Sequence, residues 1–176
     1  MAANIDIKID MNNSKLKEML EKVKENIGIK VGILGADGTK PVRSKNKKEH
    51  SDGREKKEEL NEATLGAIHE YGSEKRNIPS RSFIRMPIEK KFKTTIVKNS
   101  KFKDAVQRLN IKEINGSMGE TAVSIILDAF ETGGFGNWAP LSEETKRRKT
   151  GEQSKILVDT GDLEHSITYE ELNAEW

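Results

Sequence analysis

The sequence predicts an α+β protein in which a small mixed or antiparallel sheet packs against helices and long polar loops connect the elements. Some segments alternate apolar and polar residues with the period of a strand, and others repeat apolar residues with the period of a helix. The stretches between them hold few apolar residues. Because the chain has 176 residues, of which 34% are hydrophobic and 34% charged, we expect a single domain over residues 1–176 with one modest core.

The N-terminal part predicts two strands separated by one helix. Apolar and polar residues alternate over residues 5–9, which indicates a half-buried strand. Ser14 is placed to cap a helix whose apolar residues fall at i, i+3, i+4 and i+7: Leu16, Met19, Leu20 and Val23. Residues 27–34 predict a second strand, which Gly35 ends.

A charged segment over residues 36–59 follows the second strand. It has too few apolar residues to offset the entropy lost on ordering, so we expect an exposed loop or long mobile hairpin. A solvated loop without a partner is one interpretation. The other is a loop that faces DNA, the lumen of an assembly or a neighbouring subunit, with these basic residues: Lys45, Lys47, Lys48, Arg54, Lys56 and Lys57.

The next two elements are a helix and an extended segment. Residues 60–71 have helical spacing, with Gly72 as a left-handed stop and these apolar members: Leu65, Ala67, Ile68 and Tyr71. Residues 77–84 are extended because they contain Pro79, and a further helix is expected to begin at Pro87. The apolar residues that mark its buried side are Ile88, Phe92 and Ile96.

After a break at residues 99–100, Phe102, Val106 and Leu109 predict another helical piece. Residues 118–130 form the most apolar helix, which we expect at the centre of the core.

The C-terminal part begins with a glycine-rich break at residues 133–136. Trp138 then anchors an ordered loop, and a polar run leads to a turn over residues 159–163. Residues 166–169 predict a closing strand, and a loose tail follows about residue 170.

No catalytic, cofactor-binding or metal-binding residue is predicted, and we expect a protein that is not an enzyme. There is no cysteine, no glycine-framed serine of the nucleophile-elbow type, and residues 32–38 match no phosphate-binding fingerprint. A surface turn is the preferred interpretation of the polar cluster Asp159, Asp162, Glu164 and His165, with metal binding as the weaker one. A small enzyme with an unfamiliar site remains an alternative.

The charge balance excludes a protein whose overall field selects nucleic acid, because 31 basic residues face 29 acidic ones, a net charge of +2. The basic cluster over residues 146–149 is interpreted as a solvated helix face balanced by Glu143 and Glu144, with phosphate contact as the alternative. No run approaches the roughly 18 apolar residues of a membrane span and no signal sequence is evident. We therefore expect a soluble protein made in the cytoplasm, without membrane contact.

Four segments in chain order resemble the pattern of tailed-phage virion morphogenesis proteins, a group that includes Mu-type tail completion proteins and related minor tail or neck components. The segments are ATLGAIHEYG at residues 63–72, IPSRSFIR at 78–85, WAPLS at 138–142 with Thr145 and Lys149, and ILVDTGDL at 156–163 followed by Ser166 and Ile167. Ser82 stands where the family commonly has proline, which is expected to loosen the turn. The charged segment 36–59 and the helical piece near Phe102 lie outside the shared pattern.

The resemblance implies a structural virion protein at the head-to-tail joint or the head-proximal tail end. A tail terminator ring that sets tail length is one alternative. A non-specific DNA-binding module that uses residues 45–57 and 146–149 is another. The implied partners are copies of itself in a ring, commonly six-fold, neighbouring head-connector and tail-tube or tail-terminator proteins, and, non-specifically, the DNA in the channel. No cofactor is implied, and the location is the virion, assembled in the cytoplasm of a host bacterium.

The same resemblance singles out residues that position loops or contact other copies: Tyr71, Gly72, Pro79, Arg81, Phe83, Trp138, Thr160, Gly161 and Leu163. Arg81, held between Pro79 and Phe83, is expected to position its loop by binding a helix C-terminus or a carboxylate rather than DNA.

Overall fold

The computed structural model describes residues 21, 25–35, 39, 61–149 and 155–172. Within these residues, strands β1 (Ile29–Ile33) and β2 (Ile167–Glu171) pair antiparallel, with Ile29 opposite Glu171 and Ile33 opposite Ile167. Helices follow one another between the two strands and pack against them. The predicted α+β class is therefore confirmed. The predicted strand at residues 5–9, the helix after Ser14 and the charged segment 36–59 lie outside the described residues.

Six helices occur in the described part of the chain, and their bounds are α1, Glu62–Tyr71; α2, the consecutive stretches Arg85–Pro87, Ile88–Phe92 and Lys93–Ile96; α3, Ser100–Gln107; α4, Ile111–Glu131; α5, Glu143–Arg148; and α6, Asp162–His165. A short 3-10 turn, Glu74–Arg76, follows α1, and the middle stretch of α2 is π-helical. Asparagine or serine side chains cap four of these helices by accepting a backbone N–H: Asn61, Asn99, Asn110 and Ser142.

Helix α4 is the centre of the core, as the sequence predicts. It packs against both strands and against α2 and α3. Its buried apolar residues are Ile114, Ala122, Ile125, Ile126, Ala129 and Phe130. The Tyr169 ring of β2 lies directly against Gly119, where a Cβ atom would overlap it. Asn115 joins α4 to the chain before β1, because its side chain accepts from Gly28 N and donates to Asn26 O, both at 3.0 Å.

The large apolar residues of α1 and α3 are not the most buried residues of these helices. The buried residues of α1 are Glu62, Gly66 and Glu70, whereas Tyr71 is 73% exposed. In α3, Ala105 is fully buried, whereas Val106 and the following Leu109 are 41% and 40% exposed. A short helix that packs closely on α4 favours a small side chain at the contact. The spacing therefore predicted these helices correctly but not their orientation.

Two details of the predicted helix ends also differ. Gly72 has the predicted positive φ of 78°, but its ψ of 179° is extended rather than left-handed helical. Helix α2 begins at Arg85, ahead of the predicted start at Pro87. It can begin there because the backbone N–H groups of Phe83, Ile84 and Arg85 donate to the Glu70 side chain of α1.

Candidate functional site: a buried polar joint

The side chains of Glu70, Arg81, Ser82 and Trp138 connect three segments that are separate in sequence, and we call them the polar joint. The chain reverses direction at Gly72, after α1. An isolated antiparallel β-bridge between Ser73 and Ile78 then directs it back toward the last turn of α1. Arg81 N then donates to His69 O at 2.7 Å. The segment that leads into α2 is thereby held against the last turn of α1.

The Glu70 carboxylate is the centre of the polar joint. It is 6% exposed and accepts four hydrogen bonds, from Ser82 Oγ at 2.6 Å and from the backbone N–H groups of Phe83, Ile84 and Arg85 at 2.8, 3.0 and 3.1 Å. The first N–H groups of a helix have no partner within it and favour a negative charge nearby. One side chain of α1 thus caps the start of α2.

Ser82 extends this cap. Its hydroxyl donates to Glu70 and also accepts from Met86 N at 2.9 Å. A proline at this position would lack both bonds. The serine therefore fastens the turn, contrary to the expectation that it loosens it.

Arg81 and Trp138 bind each other's segments reciprocally. The Arg81 guanidinium, 7% exposed, donates from Nε to Ala139 O at 3.0 Å and from Nη2 to Pro140 O at 3.2 Å. Trp138 Nε1 donates to Ser82 O at 3.1 Å. Arg81 has the predicted positioning role, but its partners are two loop carbonyls, not a helix C-terminus or a carboxylate.

Aromatic packing supports the same joint from the core side. The Phe83 and Phe130 rings are 5.3 Å apart, and Trp138 meets Phe130 edge to face at 5.8 Å. Leu163 and Ile167 complete this buried cluster. Such ring pairs contribute about 0.5–1.5 kcal/mol beyond their buried area. The joint is therefore closed to water on its inner side.

Two ionisable residues of α1, one near each end of the helix, have a buried side-chain atom without a hydrogen-bond partner among the described residues. Glu62 is 4% exposed and its Oε2 has no partner. Burial raises the pKa of Glu62, and the nearby charge of Asp162 adds to this. Nδ1 of His69 is also unpartnered, and burial together with the charge of Arg81 lowers the pKa of His69. Burial lowers the pKa of Arg81 as well.

The structure brings four of the nine predicted positioning residues together. Arg81, Phe83 and Trp138 belong to the joint and its aromatic cluster, and Leu163, 6% exposed, packs on that cluster. The turn that delivers Leu163 contains two further predicted residues. The Thr160 hydroxyl hydrogen-bonds to Asp162, and Gly161 has a φ of 85°.

The remaining predicted residues lie differently. Gly72 makes the reversal after α1, and Pro79 is exposed in the extended segment after it. Tyr71 points away from the fold, with 73% of its surface exposed. The predicted DNA-facing residues of the charged segment lie outside the described residues. The cluster over residues 159–165 does not gather the three ligands that a metal ion needs, as no such group of His, Asp or Glu occurs in the described ranges.

Helix α5 contains the basic residues 146–148 as predicted, whereas Lys149 follows the helix and donates to Lys155 O. Lys146 pairs with Glu143 at 2.7 Å and Arg148 with Glu144 at 3.0 Å, and these groups are exposed. They form a solvated helix face that is balanced by its own carboxylates.

Glu70, the centre of the joint, is the residue that the sequence pattern did not reveal. It lies beside Tyr71 in a helix whose apolar residues drew attention to the other face. A signal does exist, since Glu62, Gly66 and Glu70 recur every four residues and share one face of α1. A helix face of two glutamates and one glycine is usually predicted to be exposed, because carboxylates are rarely buried without partners.

The joint can position three segments rigidly, and its one hydroxyl beside a carboxylate, Ser82 against Glu70, also accepts from Met86 N and so forms part of the helix cap. Within the described part of the chain, no helix is long and apolar enough to cross a bilayer. Comparisons of the chain with protein-family models, curated proteins and solved structures give no match.

Proposed function

We propose that this protein is a structural subunit of a tailed-phage virion that acts at the head-to-tail joint or the head-proximal end of the tail. The observation that carries the proposal is that the motifs resembling that family contain the residues of one buried joint. Glu70 comes from the first motif, Arg81 from the second and Trp138 from the third, whereas Ser82 occupies the position where the family commonly has proline. Leu163 of the fourth packs on their aromatic cluster. Motifs that share one structural purpose have a reason to occur together.

The nature of the joint supports a structural role rather than catalysis. Its charged groups bind backbone groups and one serine hydroxyl within the chain, and the pocket that Glu70 borders is lined mainly by apolar residues and contains no serine, threonine or histidine. The proposal therefore predicts no turnover of a substrate. A ring subunit also needs an exposed contact residue on a rigid support, and Tyr71 directly beside Glu70 has that position.

The primary test is electron microscopy of lysates from a phage or prophage that lacks this gene. We expect filled heads beside unjoined tails of normal length, and restoration of joined particles when the gene is supplied in trans. Tails of irregular length would instead favour the tail-terminator role. Normal infectious particles would exclude a structural role in the virion.

A second test uses Tyr71→Lys as the complementing gene, with Val97→Lys as the matched control on an exposed position of α2's end. Both side chains are more than half exposed, at 73% and 53%, so neither variant should lower the melting temperature. We expect Tyr71→Lys to reduce joined particles at least tenfold and Val97→Lys to restore them. Equal restoration by both variants would remove Tyr71 from the assembly contact.

A further inference from the structure

A strongly basic surface covers the helices between the joint and the core helix. Residues 85–112 contain nine basic residues, all of them exposed, and only two acidic ones, Glu89 and Asp104. We call these nine side chains the basic surface: Arg85, Lys90, Lys91, Lys93, Lys98, Lys101, Lys103, Arg108 and Lys112. Nine positive and two negative charges give +7, whereas the whole chain carries +2, so the other residues together carry −5. The near-neutral total therefore conceals one strongly basic segment.

Most of this charge is not compensated within the described part of the chain. Arg108 pairs with Glu113 at 2.5 Å, whereas the Arg85–Glu89 and Lys101–Glu120 pairs are longer, at 3.7 and 3.8 Å. Lys91 lies over the Phe135 ring at 5.1 Å. The other five lysines have no ion-pair partner among the described residues: Lys90, Lys93, Lys98, Lys103 and Lys112. Unpaired ammonium groups on one surface attract a polyanion.

The helices that carry the basic surface are fixed to the core. Both α2 and α3 pack on α4, through buried residues that include Ile96 and Ala105. Asn99, between the two helices, caps α3 by accepting from Phe102 N and donates to Thr121 of α4 at 3.1 Å. The cations are therefore presented by rigid elements, so little backbone entropy is lost when they bind a partner.

We propose that the basic surface binds the phosphate backbone of duplex DNA without sequence preference. Seven of its nine residues are lysines, which are depleted in protein–protein interfaces and serve as point charges toward phosphate. Single-stranded DNA is less suitable, because its binding sites stack bases on exposed aromatic rings. The two aromatic residues of the segment, Phe92 and Phe102, are both half-buried. Only the identity of the DNA, as the genome in the channel, rests on the proposed function.

The test compares three variants of the full chain that each remove three positive charges. K93Q/K98Q/K103Q removes unpaired cations of the basic surface. K146Q/R147Q/R148Q removes the same charge from α5, and K47Q/K48Q/K56Q removes it from the charged segment. Binding of a fluorescent random-sequence duplex is measured by anisotropy over a series of monovalent salt concentrations. Melting temperatures of the three variants check that each remains folded.

We expect the first variant to lose roughly eightfold in affinity per lost contact at about 0.1 M salt, and its salt slope to fall by about 0.9 per contact. The α5 variant should bind as the wild type does. No duplex binding by the wild type, or an equal loss in the first two variants, would overturn the proposal. A loss confined to the third variant would transfer the DNA contact to the charged segment. A variant that changed oligomeric state but not duplex binding would show a protein-binding surface instead.

The outcome is separable from that of the virion role. Duplex binding by the isolated protein, with normal particles after gene deletion, would retain the basic surface and exclude the structural role. Unjoined heads and tails after deletion, with no duplex binding by the isolated protein, would support the structural role and exclude DNA binding by the basic surface.

Discussion

Helix α1 contains two buried glutamates, and its two ends give them different environments. Glu70, at the C-terminal end, is 6% exposed and accepts four hydrogen bonds. Glu62, at the N-terminal end, is 4% exposed, and its Oε2 accepts none from the described residues. A carboxylate repays its desolvation only when donors surround it. Burial alone therefore does not reveal which glutamate organises the fold, whereas the number of donors does.

The largest effect is expected from Glu70→Gln. The amide turns an N–H₂ group toward donors and removes the charge that favours the start of α2, so the free energy of unfolding should fall by about 2–4 kcal/mol. Glu62→Gln is the matched control, being the same change at a buried position of the same helix, and should alter stability by less than about 1 kcal/mol. Urea denaturation measures both values. Equal losses in the two variants would remove the distinction between the two helix ends.

A smaller loss is expected from Arg81→Lys. A lysine ammonium cannot reproduce the planar fork that donates from Nε and Nη2 to Ala139 O and Pro140 O, and we expect a loss of about 1–3 kcal/mol. Arg85→Lys serves as control, since Arg85 is exposed and its pair with Glu89 is long. A double variant with Glu70→Gln tests whether the two residues act together. Additive losses would show that the joint consists of independent parts.

Ser82→Ala should cost about 1–2 kcal/mol, because it removes the hydroxyl shared by Glu70 and Met86 N. Ser80→Ala is the control, as Ser80 lies two residues earlier and its hydroxyl donates only to Glu70 O. Amide hydrogen exchange at the first turn of α2 should accelerate in the first variant alone. Unchanged protection of that turn would mean that Ser82 is dispensable for the cap.

The smallest effect concerns pH. The pKa of Glu62 is raised in the folded protein, so the folded state binds its proton more tightly than the unfolded chain. This contribution to stability is complete below the ordinary pKa of 4.5 and is lost as the pH rises through the higher folded value. Glu62→Gln should therefore flatten the pH dependence of the unfolding free energy above pH 4.5. An unchanged profile would show that Glu62 ionises normally.

The sequence predicts the elements of this fold better than their contacts. The helix over residues 118–130 and the closing strand were predicted from their apolar patterns. Both are present in the structure, because each buries an apolar face. Trp138 is predicted as an anchor for the same reason. The exposed Leu109 and the buried Glu70 break the pattern. Their positions depend on which segments meet, namely α3 on α4 and α1 on the turn before α2, and a single helix pattern contains no such information.

The basic surface was missed for a related reason. Its cations are spaced among apolar residues of α2, α3 and the start of α4, so no compact run of charges appears in the sequence as it does at residues 45–57. Their exposure is a property of the fold, because the apolar residues between them are the ones that pack on α4.

The pairing of β1 with β2 has a consequence for the order of synthesis. These strands lie at opposite ends of the described chain, and every helix that has been described is made between them. During translation, β1 cannot pair with β2 until Glu171 has left the ribosome, and the Tyr169 ring cannot pack on Gly119 of α4 before then. Contacts between distant residues form late and slowly. The packing of the described helices against this sheet is therefore completed only after β2 has been translated.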